Sequence, residues 1–245
     1  MAAETPVALS VVFPVYNEEE NLRPLIAELK GVLGGLAMSA EIICVDDCST
    51  DASVSVVREL QQQHPELRLI RHSINSGESA ATATGFAHAR GDIIITMDAD
   101  QQNDPADIPA LLKALAGFDG VCGVRRTRED DWVKRISSKV ANAFRNWTTK
   151  DKIADAGCTF RALQRQALAE IPVFNGMHRF LPTLMRLQGF AVTEILVNHR
   201  PRTRGVSKYG LGNRMFRGLV DCLAIMWWRK RCVSAKRAQA EEPRT

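Results

Sequence analysis

Two carboxylates two residues apart, Asp98 and Asp100, directly follow a run of mostly β-branched residues from Ile93 to Thr96. The run predicts a buried strand, and if extended backbone continues past Met97, both side chains point to the same side. Such hard anionic ligands suit Mg²⁺ or Mn²⁺, which proteins usually hold through carboxylates together with substrate phosphates. An isolated Asp-x-Asp pair is also typical of a solvated acidic loop, so the neighbouring elements must decide between the two interpretations.

Two other predicted strands also end in polar residues. The apolar run of residues 8–13 leads into Pro14, Tyr16 and Glu18, and the run of residues 41–45 ends in Asp46 and Asp47. Strands that alternate with helical patterns predict parallel βαβ units and a sheet with helices on both faces. Ligands bind beyond the carboxyl ends of the strands in such sheets, so we expect the three strand ends to form one site.

Local signals give further expectations for the elements. Asn17 is predicted to cap a helix over residues 20–32, because its short side chain can accept a hydrogen bond from a free helical N–H group. A helix is also expected over residues 211–231, and it is apolar between Leu219 and Trp228 apart from Asp221.

Composition limits the class of protein. The chain has 245 residues and is 45% hydrophobic, enough for one domain with a full core. The net charge is only +4, but eleven Lys and Arg residues lie between His199 and Arg237, against the single acid Asp221. Six cysteines without a Cys-x-x-Cys pair, and an N-terminus without a signal-like segment, favour a reduced cytoplasmic protein. No apolar run reaches the roughly 18–20 residues that span a bilayer.

The familiar glycine-rich nucleotide motifs are absent. No G-x-G-x-x-G follows the first strand and no G-x-x-x-x-G-K-[ST] occurs, so dinucleotide and P-loop sites are poorly supported. A nucleotide-sugar site fits better, because carboxylates can accept hydrogen bonds from base and ribose while a metal at Asp98 and Asp100 binds the diphosphate.

Several segments resemble, in order and spacing, family 2 glycosyltransferases of the GT-A fold: Val12-Phe13-Pro14-Val15-Tyr16-Asn17-Glu18-Glu19, Val45-Asp46-Asp47-Cys48-Ser49-Thr50-Asp51, Asn75-Ser76-Gly77 and Asp98-Ala99-Asp100-Gln101-Gln102. Others resemble, more narrowly, the polyprenyl-phosphate group typified by dolichyl-phosphate mannose synthase: Gly123-x-Arg125, Arg135-Ile136-Ser137, Gly157-x-x-Phe160-Arg161 and Arg202-x-x-Gly205-x-Ser207-Lys208. The resemblance covers about residues 7–215 and implies an α/β fold with a mostly parallel, Rossmann-like sheet flanked by helices.

The resemblance also implies a role for individual positions. A nucleobase and ribose pocket is expected at Pro14, Tyr16, Glu18 and Asp46. The divalent metal, Mg²⁺ or Mn²⁺, is expected on Asp98, Asp100 and the side-chain oxygen of Gln102, where Asp98 also binds the nucleotide-sugar. The donor diphosphate and acceptor phosphate are expected to be neutralised by Arg125, Arg135, Arg202 and Lys208. Asp155 occupies the acceptor-side position, where it either orients the nucleophile or acts as base; the alternative is a turn residue before Gly157.

Two positions depart from the family pattern. Cys48 stands where the family usually has Gly, and a turn that needs positive φ would tolerate Cys poorly. Glu78 stands where many relatives carry Lys or Arg, which weakens a phosphate-binding role for that loop.

The implied reaction is an inverting, metal-dependent transfer of a sugar from a GDP- or UDP-sugar to a polyprenyl phosphate of the dolichyl or undecaprenyl type. We expect a catalytic domain over residues 1–210, an amphipathic membrane-surface helix over 211–232 and a disordered polar tail over 233–245. Many relatives continue into transmembrane helices, so a chain that stops here is expected to be peripheral on the cytosolic membrane face. The aromatic pair Trp227-Trp228 and the following Arg229-Lys230-Arg231 support that helix, although they could equally cap a core helix.

Two other functions stay open at this point. A family 2 enzyme that extends a soluble or lipid-linked glycan would more often carry late motifs such as Glu-Asp and Gln-x-x-Arg-Trp, which this chain lacks. A non-catalytic membrane adaptor would explain the basic C-terminal region but not the metal-ligand pattern. Nucleic acid is the weakest partner, because stacking aromatics are sparse in the basic stretch. Assembly as a homo-oligomer is left open.

Overall fold

The computed structural model describes residues 6–126, 143–202 and 211–231. The described strands, in chain order, are β1 (Leu9–Val15), β2 (Ala40–Asp46), β3 (Leu67–Arg71), β4 (Ile93–Thr96), β5 (Gly120–Arg125), β6 (Arg161–Gln164) and β7 (Val192–Val197). The described helices are α1 (Glu19–Gly34), α2 (Ser53–Gln61), α3 (Glu78–His88), α4 (Ile108–Ala114), α5 (residues 143–149), α6 (Arg165–Leu168), α7 (Met177–Leu187) and α8 (Leu211–Arg231). A 3₁₀ turn, Pro105–Asp107, leads into α4.

The strands form one seven-stranded sheet in the order β3-β2-β1-β4-β6-β5-β7. β1 pairs in parallel with β2 and with β4, and β2 pairs in parallel with β3. β6 runs antiparallel to both of its neighbours, β4 and β5, whereas β5 and β7 are parallel. The expectation of a mostly parallel sheet flanked by helices is confirmed, and the single reversed strand is a feature that the sequence pattern did not reveal.

Helices cover both faces of the sheet. The buried side chains of α1, α2 and α4 pack against one face, and those of α3, α6, α7 and α8 pack against the other. α3 consists largely of small residues because it lies close to the sheet: a Cβ on Gly85 would be 2.2 Å from Val12 Cγ1. This close packing fixes the start of α3 beside the carboxyl end of β1, where the site lies.

The predicted cap of the first helix is wrong. α1 begins at Glu19, and Glu18 precedes it without a side-chain cap hydrogen bond. Asn17 instead has φ of 54°, and its Oδ1 accepts the N–H of Thr50 at 2.7 Å. The side chain that the pattern assigned to α1 therefore joins the ends of β1 and β2.

The C-terminal helix has the bounds expected from the sequence, and its inner side is part of the core. Cys222 and Ile225 are buried with the residues of α7. Among the described helices, none is both long enough and apolar enough to cross a membrane. The division of the chain at residue 210 and the disorder of the tail after residue 232 concern residues outside those the structure describes.

Candidate active site

Three residues with left-handed backbone follow three neighbouring strands. Asn17, Cys48 and Gln101 have φ of 54°, 64° and 63°, respectively, after β1, β2 and β4. Non-glycine residues rarely adopt this conformation, and each costs on the order of 1 kcal/mol. Cys48 thus adopts the backbone that glycine would favour. Strain of this kind, placed at one edge of a sheet, is typical of functional turns.

Hydrogen bonds join the turns after β1 and β2 into one surface. Asn17 N–H donates to Ser49 Oγ at 2.9 Å, and Glu18 N–H donates to Ser53 Oγ at 2.9 Å. The Glu18 carboxylate accepts a hydrogen bond from Asn21 Nδ2 at 2.7 Å. Tyr16 is 37% exposed beside them, so an aromatic face is open to a ligand at the position where the sequence places the nucleobase.

The two aspartates at the end of β2 have different hydrogen-bond partners. Asp46, predicted as a ribose ligand, is buried and accepts the Ser49 N–H at 3.2 Å, with Arg71 Nε 3.5 Å from its second oxygen. Asp47 accepts the N–H groups of Ser76 and Gly77 at 2.8 and 2.7 Å. Asp47 therefore holds the turn before α3 in place, a role that the sequence analysis did not assign.

The Asp98–Asp100 segment is a turn and not a continued strand. β4 ends at Thr96, and Asp98 N–H donates to Asn103 Oδ1 at 2.8 Å. Asp100 Oδ1 accepts the N–H of Gln102 at 3.1 Å. The expectation that extended backbone aligns the two carboxylates is wrong. Their proximity comes from a tight turn that closes around Asn103.

The two carboxylates nevertheless interact. Burial, then the charge of Glu78, then the charge of Asp100 raise the pKa of Asp98 to about 7. Carboxylates that crowd in this way disfavour their own ionisation, and a divalent cation would relieve the repulsion. The donor set therefore fits a hard cation, although the described residues contain no group of three or more His, Cys, Asp or Glu side chains placed to hold one.

Gln102 and Arg202 link this turn to the segment after β7. Gln102 Nε2 donates to the carbonyl oxygen of Arg200 at 3.3 Å and lies 3.4 Å from His199 Nε2. Arg202 Nη2 forms an ion pair with Asp100 Oδ2. The structure thus brings Arg202 to the carboxylate of Asp100, one of the predicted metal ligands. It also places His199 beside Gln102.

Arg125 and Asp155, both expected from the sequence to serve the phosphates or the acceptor, form one bidentate pair. Arg125 Nε donates to Asp155 Oδ2 at 2.6 Å and Nη2 donates to Oδ1 at 2.8 Å. Both side chains are largely buried. Because a bidentate guanidinium occupies both oxygens, the arrangement suits mutual positioning better than proton abstraction.

A third group of polar residues lies next to Asp98, and the sequence did not indicate that they belong to the site. Glu78, Arg161 and His178 line a small cavity next to Asp98. Arg161 appeared in the sequence only as part of a motif, and no motif included His178. The reversed direction of β6 is what pairs Arg161 with Thr96, and no periodicity in the sequence signals that reversal. Arg135 and Lys208, predicted to bind phosphate, lie outside the residues that the structure describes.

Comparison with known proteins agrees with this geometry. Residues 10–172 match the family model "Glycosyl transferase family 2". The chain is 36% identical over 221 residues to an undecaprenyl-phosphate 4-deoxy-4-formamido-L-arabinose transferase of Edwardsiella ictaluri, which covers 88% of this chain and 67% of the relative. It is 34% identical over 226 residues to a dodecaprenyl-phosphate galacturonate synthase of Rhizobium johnstonii, with coverage of 90% and 67%.

Solved structures share the fold at lower identity. Glucosyl-3-phosphoglycerate synthase of Mycobacterium tuberculosis, in complex with Mn²⁺, UDP and phosphoglyceric acid, superposes with a TM-score of 0.66 at 21% identity, over 89% of this chain and 78% of that one. A mannosyltransferase of Pyrobaculum calidifontis, in complex with GDP-Man and Mn²⁺, gives a TM-score of 0.59 at 22% identity, over 98% and 67%. The chain therefore belongs to glycosyltransferase family 2, has its GT-A fold, and is related within it to the polyprenyl-phosphate sugar transferases.

Proposed function

We propose that the protein transfers a sugar from a nucleotide-sugar to a polyprenyl phosphate, with inversion at the anomeric carbon. The observation that carries this proposal is the convergence at one sheet edge of an open aromatic face at Tyr16, the acidic turn of Asp98 and Asp100, and the guanidinium of Arg202. Base, diphosphate and phosphate acceptor each meet a group of suitable chemistry there. Relatives that bear the names of undecaprenyl- and dodecaprenyl-phosphate sugar transferases support the acceptor class.

We assign the divalent metal, Mg²⁺ or Mn²⁺, to Asp98 and Asp100, with the side-chain oxygen of Gln102 as a third ligand and donor phosphate oxygens as the rest. When bound there, such an ion would supply Lewis-acid stabilisation of the negative charge on the leaving diphosphate. Arg202 is placed to share that task, because it already contacts Asp100. The Mn²⁺ complexes of the structural neighbours support the assignment.

A polyprenyl phosphate acceptor does not require a strong general base from the protein. A lipid monophosphate is mostly dianionic near neutrality, since its second pKa lies near 6. The Arg125–Asp155 pair can therefore contribute through charge and orientation, with Asp155 holding the guanidinium of Arg125 toward the anionic acceptor. Arg135 and Lys208 are proposed to serve the same phosphates.

We also propose that α8 lies on the membrane surface. Leu219, Val220, Leu223 and Trp227 are 41–59% exposed, while the helix ends in Arg229, Lys230 and Arg231. An apolar face, an aromatic residue and a basic end match the interface and anionic headgroups of a bilayer. A long-chain acceptor stays in that bilayer, so a peripheral location on the cytosolic face would bring the site to it.

GDP- and UDP-sugars both fit an aromatic face with nearby carboxylates as the donor. The sequence leaves the sugar open among mannose, glucose, N-acetylglucosamine, galacturonate and an aminoarabinose derivative, and the likeness to dolichyl-phosphate mannose synthase stays a prediction. The related transferases carry a formamido-arabinose or a galacturonate in their names. Whether the protein works as a homo-oligomer also stays a prediction.

The decisive experiment incubates the full chain with Mn²⁺, undecaprenyl phosphate in vesicles and a panel of radiolabelled GDP- and UDP-sugars. Formation of a lipid-extractable, acid-labile sugar phosphate is the expected result. Transfer only to a glycan acceptor would instead show a family 2 enzyme that extends glycans. Nucleotide binding without transfer to any acceptor, together with vesicle binding, would point to an adaptor.

A further inference from the structure

A small cavity lined in part by Asp98 lies between the ends of β1, β4 and β6. Its volume is about 10 Å³, which is room for a single hydroxyl-sized group. Three charged or titratable side chains besides Asp98 line it, Glu78, Arg161 and His178. The other lining residues are Val12, Pro14, Thr82, Thr96, Met97 and Thr159.

Arg161 lines this cavity and carries buried hydrogen-bond donors that lack an acceptor. The residue is only 2% exposed, and its Nη1 donates to the carbonyl oxygen of His178 at 2.8 Å. Its Nε and Nη2 find no acceptor among the residues the structure describes. Buried guanidinium N–H groups are normally paired, and leaving them without an acceptor is unfavourable. An acceptor atom on a ligand would therefore be bound strongly at this position.

Glu78 supplies the complementary acceptor. It is the first residue of α3, and its Oε2 lies 3.6 Å from His178 Nε2. His178 is held from its other side, because its Nδ1 is 2.7 Å from Ser79 Oγ, which in turn accepts the N–H of Gly176 at 2.9 Å. With Ser79 Oγ already accepting from Gly176, its hydroxyl proton is directed at Nδ1, which favours the tautomer whose Nε2–H faces Glu78.

We propose that this cavity is the specificity subsite for one substituent of the donor sugar, with Arg161 donating a hydrogen bond to that substituent and Glu78 accepting one from it. The inference rests on the proposed function, because a sugar reaches this cavity only if its diphosphate is bound at Asp98. A group that both donates and accepts, and that fits the volume, is a hydroxyl. The subsite therefore selects neutral hexoses or pentoses with a free hydroxyl at that position.

Sugars with a carboxylate there are excluded by charge and size. A carboxylate would meet the carboxylate of Glu78, the acid in the cavity that is not assigned to the metal, and it has two oxygens where one hydroxyl fits. Sites built to hydrogen-bond a hydroxyl reject analogues that cannot complete the pattern, since buried polar groups are then left unpaired. Glu78, which departs from the family pattern of Lys or Arg, is the residue that sets this preference.

The test measures binding of nucleotides and nucleotide-sugars to the full chain by calorimetry in Mn²⁺. The probes are UDP, GDP, UDP-glucose, UDP-galactose, UDP-galacturonate and GDP-mannose. Arg161→Met and the isosteric Glu78→Gln should each weaken the best nucleotide-sugar about tenfold or more, the loss of one charge-assisted hydrogen bond. Their affinity for the nucleoside diphosphate alone should stay within about twofold of the unmodified protein.

Arg165→Met provides a matched control, because Arg165 lies four positions further on in an exposed pair with Asp92. It should change neither affinity. Equal loss of diphosphate and sugar affinity in Arg161→Met and Glu78→Gln, or no loss in either, would overturn the subsite. If none of the six probes binds, the proposed function is wrong, and the subsite, which rests on it, is wrong as well.

The class of sugar is tested separately in the same experiment. Unmodified protein should bind UDP-galactose more tightly than UDP-galacturonate, and Glu78→Gln should narrow that difference. Tighter binding of UDP-galacturonate would overturn the proposed selectivity while leaving the nucleotide site intact.

Discussion

The carboxylate of Asp221 lies directly against Gly176: a Cβ added to Gly176 would be 2.7 Å from Asp221 Oδ2. Gly176 has φ of 100° and immediately precedes α7, and its N–H is the group that binds Ser79. The inner side of α8 therefore rests on the residue that holds Ser79 and, through it, His178. A shift of α8 relative to the sheet would be transmitted to the cavity next to Asp98.

Gly176→Ala should destabilise the protein by about 2–4 kcal/mol, because it combines left-handed strain with a clash against Asp221. Urea unfolding measures the change. Asp221→Ala should remove the clash, so the double variant should cost less than the sum of the two single variants. Strictly additive effects would show that the contact carries no strain.

Asp155→Asn tests whether the pair with Arg125 is structural or proton-transferring. The variant keeps the shape of the side chain but loses the negative charge, so we expect a loss of stability of about 3 kcal/mol, as for other buried pairs that lose one partner. Transfer by the folded variant should fall moderately with an unchanged pH profile. If the acid limb of that profile disappears in Asp155→Asn, Asp155 is the general base.

Asp98 gives a pH dependence with a definite sign. Its pKa of about 7 lies above the usual carboxylate value, so below pH 7 a metal ion must displace a proton. Apparent affinity for Mn²⁺ should rise up to about tenfold per pH unit between pH 5 and 7 and then level off. Calorimetry in buffers of different ionisation enthalpy would report the released proton; a flat profile would contradict the raised pKa.

The same raised pKa predicts the stability of the metal-free protein. A carboxylate that ionises less readily in the folded state costs folding free energy once the pH exceeds its unfolded pKa, and the cost is complete above its folded pKa. Asp98→Asn should therefore be more stable than the unmodified chain at pH 8, by about 2 kcal/mol after allowance for partial exposure, and equal to it near pH 4. Equal stability at both pH values would remove the electrostatic argument for the metal site.

Asp100→Ala should abolish sugar transfer while the chain still folds, because Asp100 lies in the turn after β4 and not in the apolar core. Asp100 is buried and pairs with Arg202, so its loss should also lower the thermal midpoint somewhat. Turnover with Mn²⁺ and the thermal midpoint are the two measurements. Asp92→Ala is the control, since Asp92 is 83% exposed at the opposite end of β4. Normal transfer by Asp100→Ala would refute the metal assignment.

Membrane binding should depend on the outer face of α8. Replacing Leu223 and Trp227 with Gln should reduce co-sedimentation with anionic vesicles at least tenfold, since both side chains are about half exposed. Phe118→Gln removes an exposed aromatic residue in the loop before β5, outside α8, and should change nothing. Equal binding by all three proteins would exclude α8 as the membrane contact.

The sequence predicted the elements well because their causes are local. β4 and α8 have the bounds that their patterns indicate, and the acidic turn begins where the strand pattern of β4 ends. The predictions that failed, or were never made, concern residues whose partners are distant in the chain. The sequence pattern predicts that Asn17 caps the first helix, but in the structure its side chain accepts a hydrogen bond from the loop after β2. Arg161 became a candidate site residue only once the direction of β6 was known, which no local pattern encodes.

The reversed direction of β6 has a further consequence. The site residues contributed by β1, β2 and β4 lie at or just after the carboxyl end of each strand. Thr159, in contrast, comes just before β6, and Arg161 is its first residue. The side of the site that contains Thr159 and Arg161 is thus supplied by the start of β6 and the residues just before it, on a separate stretch from the strand ends for which we propose nucleotide binding. Insertions or replacements in that stretch could retune substrate range during evolution while the nucleotide-binding half stays unchanged.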